Sequence, residues 1–109
     1  MVNEKKDERL KELLRHTAAE FFAIESNYTS LLTVTDVRIG DRGTRATIYF
    51  TVFPSDKEKG ALDFAKRKRA EFRSYFADHS RIQRLPFIDF EIDLGEKNRQ
   101  KIDELSQQA

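Results

Sequence analysis

Two charged sets of opposite sign are the residues best placed to do chemistry. The first lies in "FAKRKRAEFRSYF", residues 64–76, where Lys66, Arg67, Lys68, Arg69 and Arg73 are cationic. The second is Asp89, Glu91 and Asp93, alternating along "PFIDFEID". Carboxylates at a period of two share one face of a strand, and could hold a divalent ion or act as an acid–base pair. No His, Lys or nucleophile is placed beside them by sequence. The simpler reading is a wet sheet face opposite Ile88, Phe90 and Ile92, and such a face argues against RNA lying across this strand. His16 and His79 are the only histidines, and their separation matches no metal-ligand spacing. Ser74 lacks the glycine elbow of a nucleophilic serine. There is no phosphate loop and no dinucleotide fingerprint. With no Cys in the chain, disulfides, thiolate metal sites and cysteine nucleophiles are excluded. The expectation is a protein without catalytic residues, metal, cofactor or small-molecule substrate.

The cationic set suits phosphate, and the charge distribution agrees. Net charge is only +1 over 109 residues. Residues 56–84, however, hold nine basic and five acidic side chains, net +4, while residues 85–109 hold three and six, net −3. Local asymmetry of this kind can attract a polyanion even when the whole chain is balanced. Arg81 and Arg84 fall in the same basic segment. Arg42 and Arg45, at a predicted hairpin tip, could also reach phosphate; a solvated turn explains them equally well. Tyr28, Tyr49 and Phe53 could stack on bases, although aromatics on strands more often pack against neighbours.

These side chains need elements to position them. Residues 4–25 read as a helix, with Leu10, Leu14, Thr17, Phe21 and Ile24 at helical spacing, Leu13 and Phe22 widening the stripe, and Asn3 as N-cap. "LLTVTDVRIGDRGTRATIYFTVF" reads as a hairpin turned by "GDRG". Its second arm puts Ala46, Ile48, Phe50 and Val52 on one face. Its first arm changes phase between Leu32/Val34 and Val37/Ile39, which a bulge near Thr35–Asp36 would reconcile. Pro54 ends that strand, and Ser55 or Asp56 can cap a second helix. There the apolar stripe runs through Ala61, Leu62 and Ala65 and resumes at Phe72, Tyr75 and Phe76. Lys68 and Arg69 interrupt it. After the loop "SRIQRLP" comes a third strand, and Gly95 separates this from a polar helical tail at 95–109.

One domain over 1–109, with its core at about 4–94, is the expected organisation. Three strands covered by two helices make a two-layer α+β domain. If the third strand joins beside the first, the crossover from the second is parallel and right-handed. The opening "MVNEKKDERLKELL" is charged throughout and does not read as a secretion signal. No apolar run approaches the ~20 residues of a membrane helix, so no membrane partner is expected.

The order of elements, with "LLTVTDVRI", "RATIYFTVF", "FRSYF", "RLPFIDFEID" and the weaker "KIDEL", resembles the ribosome-binding factor A family across residues about 8–105. The resemblance implies a type II KH-like fold, and a non-enzymatic, cytoplasmic assembly factor that binds the small ribosomal subunit and its rRNA. It further implies support for 16S rRNA precursor processing and for growth at low temperature. The family breaks its second helix at an Ala-x-Gly kink, which replaces the phosphate-clamping loop of ordinary KH domains. Lys68, Arg69 and Ala70 stand at those positions here. The family's Asp-Pro turn before the first strand is replaced by Ser26-Asn27-Tyr28.

A kink near Ala70 would let Lys68 and Arg69 leave the core stripe, where an unpaired charge is costly. It would also present four successive cations to a phosphate backbone. Taken alone, the helix would more simply be a solvated face whose stems snorkel past the core; the resemblance favours RNA. A protein-interaction module that turns the basic helix toward an acidic partner is the alternative function. A monomer is expected.

Overall fold

The computed structural model describes residues 4–26 and 29–107. The proposed cap at Asn3 and the possible base-stacking Tyr28 lie outside these residues. The chain runs α1 (Glu4–Glu25), β1 (Leu31–Gly40), β2 (Arg45–Phe53), α2 (Glu58–Arg67), α3 (Arg69–Asp78), β3 (Phe87–Ile92) and α4 (Leu94–Gln107). A three-stranded sheet packs its apolar face against α1, α2 and α3 in a two-layer α+β, KH-like arrangement.

The hairpin follows from its sequence. β1 and β2 pair antiparallel, with Val34 opposite Phe50 and Val37 opposite Ile48. The register shifts between Val34 and Asp36, where the phase change predicted a bulge. One extra residue there turns Leu32, Val34, Val37 and Ile39 all toward the core, although strict alternation would split them. The turn places Asp41, Arg42 and Gly43 at φ 50°, 58° and 86°. Gly43 suits that left-handed conformation because it has no Cβ to clash.

β3 joins β2 in parallel, with Ala46 opposite Ile88 and Ile48 opposite Phe90, giving the sheet order β1-β2-β3. The arrangement considered from the sequence, with the third strand beside the first, is thereby corrected. β2 carries the longest buried apolar alternation in the sheet, so it takes the centre, where both of its sides are paired.

Leu14, Phe21, Ile48, Phe50, Phe72, Phe76, Ile88 and Phe90 share one core, as their separate periodicities implied. Its centre is aromatic. Phe22 lies 5.4 Å from Phe50 and 5.2 Å from Phe90, and Phe72 meets both Phe21 and Phe90 edge-on at 5.4 Å. Rings at these separations and tilts bring positive edges to negative faces.

Several local expectations fail. On α1 the buried stripe is Leu14, Thr17, Ala18, Phe21 and Phe22, while Ile24 is 64% exposed and Leu13 lies at the margin. The stripe leans toward Ala18 and Phe22 because the sheet lies on that side. Neither Ser55 nor Asp56 caps α2; they sit in a short 3-10 turn at Ser55–Lys57, and Lys57 precedes the helix without a side-chain cap. Gly95 does not separate β3 from the tail, since α4 begins at Leu94. Asp93 caps that helix: its Oδ1 accepts the Glu96 amide at 3.0 Å, and Lys97 N–H donates to its carbonyl at 2.9 Å.

A candidate nucleic-acid interface

The second helix breaks where the cations interrupt its stripe. Lys68 has φ −94° and ψ 7°, outside the helical well, and separates α2 from α3. Its amide donates to the carbonyls of Phe64 and Ala65, both at 3.1 Å, and its carbonyl accepts from Phe72 at 2.8 Å. At the break, Arg69 Nε donates to Lys66 O at 3.0 Å. Arg69 thus caps the C-terminal end of α2, where cations are favoured. Ala61 and Ala65 pack before the break, Phe72 and Phe76 after it, and neither Lys68 nor Arg69 enters the core.

The cations are not freely solvated either. Lys66 Nζ donates to Asp89 Oδ1 and to Glu91 Oε1, each at 3.0 Å. Arg69 Nη1 reaches the same Asp89 oxygen at 3.3 Å, and that oxygen also accepts the Phe90 amide at 2.9 Å. Lys68 turns to the opposite side, toward Glu71 at 3.2 Å and Glu25, at the end of α1, at 3.8 Å. The acidic side of β3 is therefore not the wet, unoccupied face that the sequence suggested. Asp89 and Glu91 hold α2 against the edge strand, and Asp93 caps α4 while accepting a hydrogen bond from the Thr35 hydroxyl.

The electrostatics follow these contacts. Burial alone would pull the Lys66 ammonium down, but the hydrogen bonds to Glu91 and Asp89 outweigh it and raise its pKa above 10.5. Burial likewise pushes the Asp89 carboxyl up, and the Lys66 hydrogen bond, the Phe90 amide and the nearby Arg69 charge together bring it below 3.8. Both groups are ionised at neutral pH.

Arg73, one turn beyond Arg69, donates to the carbonyls of Pro86 and Leu85, both at 3.3 Å. Lys66, Arg69 and Arg73 therefore form a row at i, i+3 and i+7, running along β3 from Glu91 past Asp89 to Pro86. The hairpin tip meets the start of that strand: Phe87 N–H donates to Thr44 O at 2.8 Å, and the Arg45 guanidinium lies 5.8 Å from the centre of the Phe87 ring. Arg45 also pairs with Asp41 at 3.1 Å. Arg67, Arg42, Arg81 and Arg84 are exposed or half-exposed and have no ion-pair partner among the described residues. The fold thus sets Lys66, Arg69 and Arg73 along β3, brings Arg45 of the hairpin tip to the start of that strand, and leaves Lys68 on the side of α1.

The remaining candidates are occupied locally. His16 Nε2 lies 2.9 Å from Glu20. His79 stacks on Tyr75 with ring centres 3.9 Å apart. Tyr49 lies under the Arg38 guanidinium at 5.4 Å, whereas Phe53 is 71% exposed. Among the described residues no three His, Asp or Glu side chains converge as metal ligands. Sequence reasoning missed Asp89, Glu91, Glu25 and Glu71 as partners of the cations. For Asp89 and Glu91 the signal was the opposite sign of the two segments, +4 and −3, and for Glu71 its i, i+3 spacing from Lys68.

A sequence model described as ribosome-binding factor A matches residues 6–106. The chain belongs to this family. Ribosome-binding factor A of Thermobifida fusca is 31% identical over 112 residues, spanning all of this chain and 74% of that protein. The crystal structure of ribosome-binding factor A from Thermus thermophilus superposes with a TM-score of 0.69 at 28% identity, over 77% of this chain and 91% of that one. A homology model of the Thermus thermophilus factor, fitted into a cryo-EM map of its complex with the 30S subunit, gives 0.67 at 28% identity, over 76% and 90%. A solution structure from Thermotoga maritima, 18% identical with a TM-score of 0.58, shares the fold over 81% of this chain and 83% of that one. In this member of the ribosome-binding factor A family, Lys68 occupies the break between α2 and α3.

Proposed function

We propose that this chain is a non-enzymatic maturation factor that binds free or immature small ribosomal subunits. It acts as a monomer in the cytoplasm and supports processing of the 16S rRNA precursor, a role felt most in growth at low temperature. The observation that carries the reading is the cationic row at the break in the second helix, in a chain of this family. Lys66, Arg69 and Arg73 line the β3 edge, Arg67 stands open beside them, and Arg42, Arg45, Arg81 and Arg84 extend the positive surface toward the hairpin tip. Lys68 contributes from the other side of the break.

A surface of this kind grips a phosphate backbone and carries no base readout of its own. Position on the subunit would then come from shape and from the arrangement of phosphates. The action is stoichiometric: bind, hold the rRNA in a maturation-competent arrangement, and leave.

Co-sedimentation through a sucrose gradient tests the reading. The protein should travel with immature small subunits, and simultaneous Ala substitution of Lys66, Arg67, Lys68 and Arg69 should release it while circular dichroism stays native. Sedimentation with free protein complexes would instead favour the alternative, an acidic protein partner. Undiminished subunit binding by the quadruple variant would show that the basic helix is not the binding surface.

A further inference from the structure

Two cations of the proposed interface are already engaged. Lys66 and Arg69 face two carboxylates of the same chain with three contacts, at 3.0, 3.0 and 3.3 Å. Neither side of this cluster is sealed, since the Lys66 and Asp89 side chains remain 33% and 32% exposed and Glu91 44%. A phosphate can therefore reach both cations from solvent without unfolding anything. Ion pairs this accessible are individually weak, and so exchangeable.

We propose that Asp89 and Glu91 act as an internal competitor for the phosphate-binding row, occupying Lys66 and Arg69 in the free protein and yielding them when an RNA phosphate array docks. The inference rests on the RNA-binding reading above and concerns how that surface is regulated. The two carboxylates stand 23 and 25 residues from Lys66 in sequence, and the parallel placement of β3 brings them onto the α2 edge. Like backbone phosphates, they offer anionic oxygens to Lys66 and Arg69. A single small anion gains little by displacing them. A polyanion gains more, because it also meets Arg67 and the arginines beyond the row.

The device leaves a signature that a purely structural ion pair would not. Binding of polyanions is driven by release of the counterions condensed on them, one set for each phosphate that is neutralised. In the wild-type protein, a phosphate that takes Lys66 or Arg69 leaves behind a bare carboxylate, which recruits cations from solution. Part of the ion release is cancelled, and the salt dependence is shallower than the count of contacts implies. Removing the carboxylate charges removes that cancellation.

The test compares three full-length proteins binding purified immature small subunits across a salt series: wild type, Asp89→Asn with Glu91→Gln, and the quadruple Ala variant. The double variant should bind more tightly at low salt, by about 1.4- to fivefold for each pair released. Its log–log salt slope should be steeper by up to ~1.4–1.8, which is ~0.7–0.9 for each of two freed cations. Thermal melting establishes that each variant folds. Glu91→Gln alone, which breaks one contact and spares Asp89, should give a smaller change in the same direction and serves if the double variant misfolds. If the quadruple variant loses binding while the carboxylate variants bind no better and keep the wild-type slope, the competitor idea fails and the RNA-binding reading stands. If the quadruple variant binds as well as wild type, the interface itself is misassigned and the competitor falls with it.

Discussion

At the residue scale, the most informative side chains are carboxylates. Asp93 takes part in two structures at once, capping α4 through the Glu96 amide and bonding Thr35 at the β1 bulge. Asp93→Ala should lower stability by ~0.5–2 kcal/mol, the usual range for a lost N-cap. Hydrogen exchange should show the loss concentrated at the start of α4. The Glu96 amide and the Thr35 hydroxyl hold the Asp93 carboxyl below its usual 3.8. Because the folded value is depressed, the stabilisation is complete above the unfolded value and is lost as pH falls through the folded one. Asp89 has the same sign. Lys66 has the opposite one: its folded value lies above 10.5, so its contribution holds below that pH and is lost as pH rises through the folded value. A pH series of thermal melts should therefore be flat in between, with an acid-side decline that shrinks in Asp89→Asn and an alkaline decline that shrinks in Lys66→Met.

At the scale of elements, α2 and α3 behave as one apolar stripe carried on two helices. Their core anchors, Ala65 and Phe72, are fully buried on either side of the Lys68 break. Phe72 packs edge-on against Phe21 and Phe90, linking α1, α3 and β3. Phe72→Ala should cost ~3–5 kcal/mol in denaturant unfolding, since it opens a cavity among rings from three elements. Gly60 tests the opposite sign. It lies in α2 with open space where a Cβ would stand and no positive φ. Gly60→Ala should stabilise by up to ~1 kcal/mol through helix propensity, raising the melting temperature by a few degrees.

At the scale of the molecule, α4 stands apart from the core. Its Leu94, Ile102 and Leu105 are exposed, and among the described residues the Asp93 cap and a Lys97–Glu58 ion pair at 3.0 Å tie it to the rest. A chain ending after residue 95 should keep the cooperative melting transition of the sheet and its three helices, and lose helical circular dichroism in proportion to α4. Loss of cooperative unfolding in that variant would mean that the last helix is part of the core.

Much of this architecture was legible in the chain itself. The second arm of the hairpin and the bulge near Thr35 follow from local periodicity, because each is set by which side of its own backbone a residue must bury; the break at the cations was marked by the interrupted stripe only together with the family resemblance. Six of the nine phenylalanines, Phe21, Phe22, Phe50, Phe72, Phe76 and Phe90, likewise report their own periods, and the core collects them. What local patterns could not show is which elements meet. Asp89, Glu91 and Asp93 alternate as solvent-facing residues do, and only the parallel seating of β3 against β2, with α2 along its edge, turns Asp89 and Glu91 into partners of Lys66 and Arg69. Asp93 became a helix cap for the same kind of reason, since the helix it caps begins one residue later than a strand pattern can reveal. Charge pairing acts through space at ~3 Å, whereas a sequence records distance along the chain. The assignment of each charge to a partner, to a cap or to solvent was decided by the tertiary structure.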